Sequence, residues 1–273
     1  MSELSINNEQ VAHVLCGFIS SEIRKFGYDR VVVGLSGGVD SSTSAFLAVR
    51  ALGKENIIGI LMPYKTSQPE SRDHAMQVVD ALGIRSLEVD ITPMVNPYFA
   101  LHPDMDRIRR GNVMARERMI VLYDQSHARK ALVLGTSNKT EYLLGYTTLW
   151  GDMACAVNPL GDLYKTQVRS LARYLGVPGE IIRKPPSADL WKGQTDEEEL
   201  GFTYEEVDRL LFHLIDKRLN PAELEEKGFQ SKFVKRVTEM IQKSQYKRHL
   251  PVIAKLSDRT IDWDFRYPRD WGA

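Results

Sequence analysis

Cysteine, net charge and long apolar runs are what this chain has little of. Two of its 273 residues are cysteine, Cys16 and Cys155, and neither has metal-ligand spacing. Cys16 falls in an apolar helical stripe and reads as a core residue; a reducing cytoplasm is the expected compartment. Lysine and arginine number 36 and so do aspartate and glutamate, so no global field draws the chain to nucleic acid or to an anionic membrane. Any anionic ligand must be bound by local donors. No segment approaches about 18 uninterrupted apolar residues, and the acidic N-terminus with Glu3 and Glu9 lacks an apolar signal region. Neither secretion nor membrane spanning is expected.

What is present is ample apolar material, 43% of residues, in a length that accommodates one large α/β domain or two small ones. Val11, Val14, Leu15, Phe18, Ile19 and Ile23 recur at helical spacing and predict a first helix over 9–26, with Gly27 as its stop. Short apolar runs at 31–35, 57–62, 84–89 and 131–135 alternate with helix-like stretches at 69–82 and 107–126. This alternation predicts an α/β three-layer sandwich on a mostly parallel, doubly wound sheet. From about 190 the chain is acidic and then helical, and the aromatic, charged tail Trp263–Tyr267 is expected to dock on the body.

In such sheets ligands gather at the carboxyl ends of the strands, where strand order reverses. The first of these ends is the most informative. Val31–Val33 lead into Gly34, Leu35, Ser36, Gly37, Gly38, Val39, Asp40, Ser41 and Ser42, and an apolar helical stretch follows. Glycines let backbone amides approach an anion, serine hydroxyls add donors, and the helix N-terminus contributes about half a positive charge. The loop reads as a nucleotide pyrophosphate site. It lacks the Gly-Lys-Ser/Thr of a Walker A loop and the third glycine of a dinucleotide fingerprint.

A carboxylate at Asp40 beside bound phosphates is repelled unless a cation intervenes, which points to Mg2+ and to a second carboxylate from another strand end, Glu141. Taken alone, Asp40 also suits a helix cap and Glu141 an exposed helix position; their placement at neighbouring strand ends favours ligation. Thr136, in the turn Gly135–Asn138, can contact a nucleotide or cap a helix. Lys165 opens a helix against its dipole, unfavourable without a nearby anion, and so suits a catalytic cation beside the phosphates. Arg116 and Arg118 lie about 200° apart on a helix and cannot share a face; spacing does not say which turns inward. Ser187 follows two prolines, as an ordered lid requires. Thr195 with Glu198 matches a capping box, making 196–199 a helix start. Tyr246–His249 is a short basic patch that suits an anionic substrate or a solvated turn.

The Ser36–Ser42 loop resembles that of the ATP pyrophosphatases. The order of Leu35–Ser42, Gly111–Met119, Gly135–Glu141, Pro159–Thr166, Pro186–Leu190 and Lys247–Arg248 resembles the ammonia-dependent NAD synthetases along nearly the whole chain. The resemblance implies a single domain of the adenine nucleotide alpha hydrolase-like class and ATP-dependent amidation of deamido-NAD through an adenylate, releasing AMP and pyrophosphate. It implies Asp40 and Glu141 as Mg2+ ligands; Gly34–Ser42, Thr136, Lys165 and Ser187 as ATP contacts; and Arg116, Tyr246 and Lys247 as deamido-NAD contacts. It further implies a homodimer with the dinucleotide at the subunit interface. Leu149 and Ala156 depart from the lysine and aspartate that some bacterial members place on the dinucleotide. With the first strand near residue 31 and neither cysteine in a glutaminase setting, no glutaminase domain is expected and ammonia is free or partner-delivered. The rivals are a tRNA-modifying pyrophosphatase, disfavoured by neutral charge and isolated cysteines, and a non-catalytic nucleotide-binding module, which has no need of the metal carboxylates and lysine.

Overall fold

The computed structural model describes residues 3–187, 191, 193, 195–249, 251–256 and 258. The Trp263–Tyr267 tail and Ala188, Asp189 and Leu190 lie outside the described residues. Four β-rich runs form strands within their expected spans: β1 (Val31–Gly34), β2 (Ile57–Leu61), β3 (Arg85–Glu88) and β4 (Leu132–Leu134). They pair in parallel in the order β3-β2-β1-β4, with Val31 opposite both Ile57 and Leu132. The chain therefore steps one way through β1, β2 and β3, then returns to the other side of β1. The reversal lies between β1 and β4, and their two following loops flank one crevice.

Alternate side chains of each strand face opposite layers. Val31, Val33, Ile57 and Leu61 pack with α1 (Asn8–Lys25), α2 (Val39–Leu52) and α3 (Pro69–Leu82). Val32, Ile58, Ile60 and Val133 face α4 (Thr92–Leu101) and α5 (Arg107–Ala128). The short α6 (Lys139–Leu144) follows β4, and α7 (Lys165–Leu175) and α8 (Gly179–Arg183) complete the first layer. Helices α9 (Asp196–Leu200), α10 (Tyr204–Leu211), α11 (Pro221–Glu226) and α12 (Ser231–Lys243) enclose a separate apolar cluster with Leu144 and Tyr164. The expected three-layer α/β sandwich with a helical C-terminal part is thus present.

Helix α4 is hidden by its prolines. Pro93 occupies the first turn, where the missing N–H has no partner to lose, while Pro97 lies inside the helix. Val95 and Phe99 bury one face of α4 against the sheet, which offsets the lost hydrogen bond. Elsewhere the stops are those expected: Gly83 closes α3 in a left-handed conformation, and α1 ends before Gly27.

Candidate active site

The loop after β1 is held in shape before any ligand arrives. Leu35 N–H donates to Ile60 O (2.9 Å), continuing the ladder one residue past β1. Gly37 has φ +75°, and a Cβ there would lie 2.1 Å from the Ser71 carbonyl oxygen. Conformation and space both require glycine at this position. Ser41 and Ser42 hydroxyls donate to Gly38 O at 3.1 and 2.8 Å, and Ser36 N–H donates to Ser41 Oγ at 3.3 Å. The Ser41 and Ser42 hydroxyl protons thus go to the loop backbone, and these serines shape the loop. Gly34, Leu35, Ser36, Gly38, Val39, Asp40 and Ser41 line a cleft of about 850 Å³, whereas Gly37 packs on Ser71 and Ser42 is buried beneath the loop.

Asp40, on the first turn of α2, does not cap it; Gly38 is the N-cap and Asp40 turns across the crevice. Its Oδ1 accepts from Asn138 Nδ2 at 3.0 Å and its Oδ2 from Lys165 Nζ. Lys165 Nζ also donates to Glu141 Oε1 at 3.1 Å. Glu141 serves twice, because its Oε2 accepts from Asn138 N–H (3.2 Å) in the capping box that starts α6. The β1 and β4 ends are therefore joined through one ammonium and two carboxylates. Lys165 is 3% exposed. Burial alone would lower its pKa, but Asp40 and Glu141 outweigh that and hold it above the usual lysine value. Burial pushes Glu141 up to about 8 despite the opposing pull of Lys165.

Lys165 is aimed by the start of α7. Its backbone N–H donates to Thr140 Oγ1 (3.0 Å), and the next amide, Thr166 N–H, donates to Asp208 Oδ2 (2.8 Å). Asp208 also accepts from Thr140 Oγ1 at 2.6 Å. A carboxylate from α10 thereby supplies the anion that the N-terminus of α7 favours. The ring of Tyr204 lies 5.0 Å from Lys165 Nζ, and its hydroxyl donates to Asp196 Oδ2 at 3.1 Å. Thr136 and Ser187 line the same cleft from the β4 turn and the Pro185–Pro186 segment.

The far end of the cleft is built differently. Lys247 Nζ donates to the Gly145 and Thr147 carbonyls at 2.8 and 2.7 Å, and burial lowers its pKa. Arg248 donates to Tyr142, Leu143 and Ile241 carbonyls, closing the ends of α6 and α12. These two side chains are backbone-bonded, which replaces the expectation of a solvated basic turn. Tyr246 is 64% exposed and stands outside the cleft. Arg116 is also exposed outside it, with Nε donating to Leu149 O at 3.2 Å. Arg118 instead turns inward, lining the cleft and bonding Met62 O at 3.1 Å.

Three carboxylates in this region escaped the sequence reading. Asp208 sits on the buried face of α10 with Tyr204, Val207 and Leu211, and a charge on an apolar helical face is the signal that would have found it. Asp152 accepts from Thr148 N–H (2.6 Å) in the cleft wall, and burial pushes it up to about 6. Asp196 begins α9 as expected, but Thr195 makes no side-chain cap there, so the predicted capping box is not formed. Its acidic neighbours Glu198 and Glu199 are exposed, while Asp196 is buried in the cleft wall.

Comparison with known proteins places the chain in a family. Residues 11–251 match the family model described as NAD synthase. The chain is 58% identical over 272 residues to the NH(3)-dependent NAD(+) synthetase of Trichlorobacter lovleyi, covering 100% of both chains. It is also 58% identical over 261 residues to that of Chlorobaculum tepidum, covering 96% of this chain and 94% of the relative. Among solved structures, it resembles an NMN synthetase from Francisella tularensis with TM-score 0.82 and 31% identity, covering 92% of this chain and 99% of that one. An NH3-dependent NAD synthetase from Campylobacter jejuni gives TM-score 0.78 at 31% identity, covering 92% of this chain and 100% of that one. On full-length similarity, this chain belongs to the NAD synthase family.

Proposed function

We propose that the protein is a cytoplasmic, AMP-forming ligase that amidates the nicotinate carboxylate of deamido-NAD with ammonia at the expense of ATP. The observation that carries this reading is the meeting of Asp40, Glu141 and Lys165 beside an anion-binding loop. A carboxylate is a poor acyl donor at neutral pH. In the first step its oxygen attacks the ATP α-phosphorus, the bond to the bridging oxygen breaks, and pyrophosphate leaves. In the second, ammonia adds to the acyl carbon, AMP departs with the bonding pair, and a proton is lost from nitrogen. The N-terminus of α2 and the loop before it would hold the departing pyrophosphate, with Lys165 opposing the charge that develops on it.

Burial raises the pKa of Glu141 and of Asp196, and once the carboxyls of Asp40, Glu141 and Asp196 are all ionised, the one Lys165 ammonium leaves two negative charges over. A divalent cation balances them, and two carboxylates with phosphate oxygens suit Mg2+. Asp40 and Glu141 would hold it; when bound it neutralises phosphate charge and polarises the phosphoryl oxygens.

Thr136 and Ser187 would contact the nucleotide, and Lys247 the dinucleotide at the far end. Arg116 and Tyr246 would contact it from outside the single-chain cleft. A homodimer accounts for that placement: Arg116 shares an exposed stripe of α5 with Ile120 and Tyr123, and α4 beside it exposes Met94, Tyr98 and Leu101. Ammonia would come free or from a separate partner, within a single synthetase domain.

The test is to mix the protein with ATP, MgCl2, ammonium and either deamido-NAD or its nicotinate mononucleotide counterpart. NAD formed in equal amount to AMP, and faster than the amidated mononucleotide, is expected. AMP formed without NAD contradicts the reading.

A further inference from the structure

Lys165 lies between two sets of acidic neighbours. On one side its Nζ bonds Asp40 Oδ2 and Glu141 Oε1. On the other is the Tyr204 ring, whose hydroxyl holds Asp196 Oδ2 at 3.1 Å. Asp196 is 5% exposed and lines the cleft, and its second oxygen, Oδ1, is buried without a well-formed hydrogen bond, with the Tyr146 hydroxyl, which donates to Glu199 Oε2, beside the carboxyl group. Such an oxygen is costly to leave unpaired in a folded interior. The rest of the residue is firmly placed: its N–H donates to Pro186 O at 2.9 Å, and Leu200 and Tyr204 anchor its surroundings in the C-terminal apolar cluster.

The Lys165 ammonium occupies the gap between the two carboxylates assigned above to a divalent cation. Both cations cannot fill one gap. A lysine on a four-carbon stem can swing about its fixed backbone, but a buried ammonium needs a new anion at the end of that swing. Asp196, across the Tyr204 ring, supplies an unused acceptor.

We propose that Asp196 is a positioning residue that receives the Lys165 ammonium when a divalent cation takes the Asp40–Glu141 position. The lysine then stays charged beside the phosphate loop. The Tyr204 hydroxyl fixes the Asp196 carboxylate, and the Tyr204 ring offers a cation-tolerant surface along the way. This inference rests on the reading of Asp40 and Glu141 as cation ligands.

The test is a double-mutant cycle on the full chain without nucleotide, read as Mn2+ affinity from the free-ion electron paramagnetic resonance signal. In the wild-type background Asp196→Asn leaves Lys165 with no second anionic acceptor, so Lys165 competes harder with Mn2+. In the Lys165→Met background there is no competitor to rehouse. The loss caused by Asp196→Asn is therefore expected to be about tenfold greater with Lys165 present than without it, and Asp196→Glu should restore most of it. Equal losses in both backgrounds would overturn the inference, because a structural or long-range charge effect does not depend on Lys165. If melting curves show Asp196→Asn unfolded, Asp196→Ser in the same cycle carries the same expectation. Failure of the wild-type protein to bind Mn2+ both without nucleotide and with a non-hydrolysable ATP analogue overturns the cation reading and this inference together, whereas Mn2+ binding with equal losses overturns this inference alone.

Discussion

At the phosphate end of the cleft charged side chains hold one another, whereas at the far end they are held by backbone or face solvent. Asp40, Asn138, Glu141 and Lys165 come from α2, the β4 turn, α6 and α7 and meet within about one hydrogen-bond length. Lys247 rests on two carbonyls, Arg116 on one, and Tyr246 stands exposed. In the proposed reaction the difference would separate the part whose electrostatics are set in the single chain from the part completed by substrate and, in the proposed homodimer, a second copy. Preorganised charge is worth most where new charge develops, and it is concentrated where pyrophosphate would leave.

Lys165→Met attacks the preorganised end most directly. It leaves two facing carboxylates without their ammonium, and kcat is expected to fall by about 10²–10³-fold in a steady-state assay. Near-normal kcat would remove the basis of the contrast. Next in size is Gly37→Ala, which pushes a Cβ against the Ser71 carbonyl at positive φ. The strain costs about 1–3 kcal/mol locally, read as a lowered melting temperature, together with a raised KM for ATP. At the far end, Lys247→Met should raise KM for deamido-NAD by about tenfold and change kcat much less, since it removes binding present throughout the reaction. A kcat loss matching that of Lys165→Met would mean the two ends are not distinct.

A further effect, on stability against pH and not on turnover, concerns Asp152. Burial raises its folded pKa from 3.8 to about 6. The folded state then binds the proton more tightly than the unfolded chain, so this group's contribution is full below about pH 4 and is lost as pH rises towards 6. Melting temperatures of Asp152→Asn and the parent should converge or diverge only across that window; parallel curves from pH 4 to 7 would show that Asp152 does not titrate there.

The strands were legible because runs such as Val31–Val33 and Ile57–Leu61 combine β-branched composition with turn residues at both ends. Asp40, Glu141 and Lys165 were legible because strand ends and an anomalous lysine at a helix start are local signals. Asp196 and Asp208 were not. Their importance is burial against residues tens of positions away, and in sequence Asp196 is one more acid in a solvated-looking run. The two arginines show the same limit: periodicity separates Arg116 from Arg118 but does not say which face α5 buries, and the fold turns Arg118 into the cleft. Helix α4 was obscured because Pro93 and Pro97 carry a stop signal that packing of Val95 and Phe99 overrides.

At the phosphate end, in the proposed reaction, the nicotinate carboxylate is activated when its oxygen attacks the α-phosphorus of ATP and takes up the adenylyl group. Deamido-NAD labelled with ¹⁸O in that carboxylate tests it directly, with the AMP product examined by mass spectrometry after a single turnover with ATP, MgCl2 and ammonium. One ¹⁸O atom from the carboxylate is expected in the phosphate of each AMP. AMP without the label, formed alongside NAD, would contradict it.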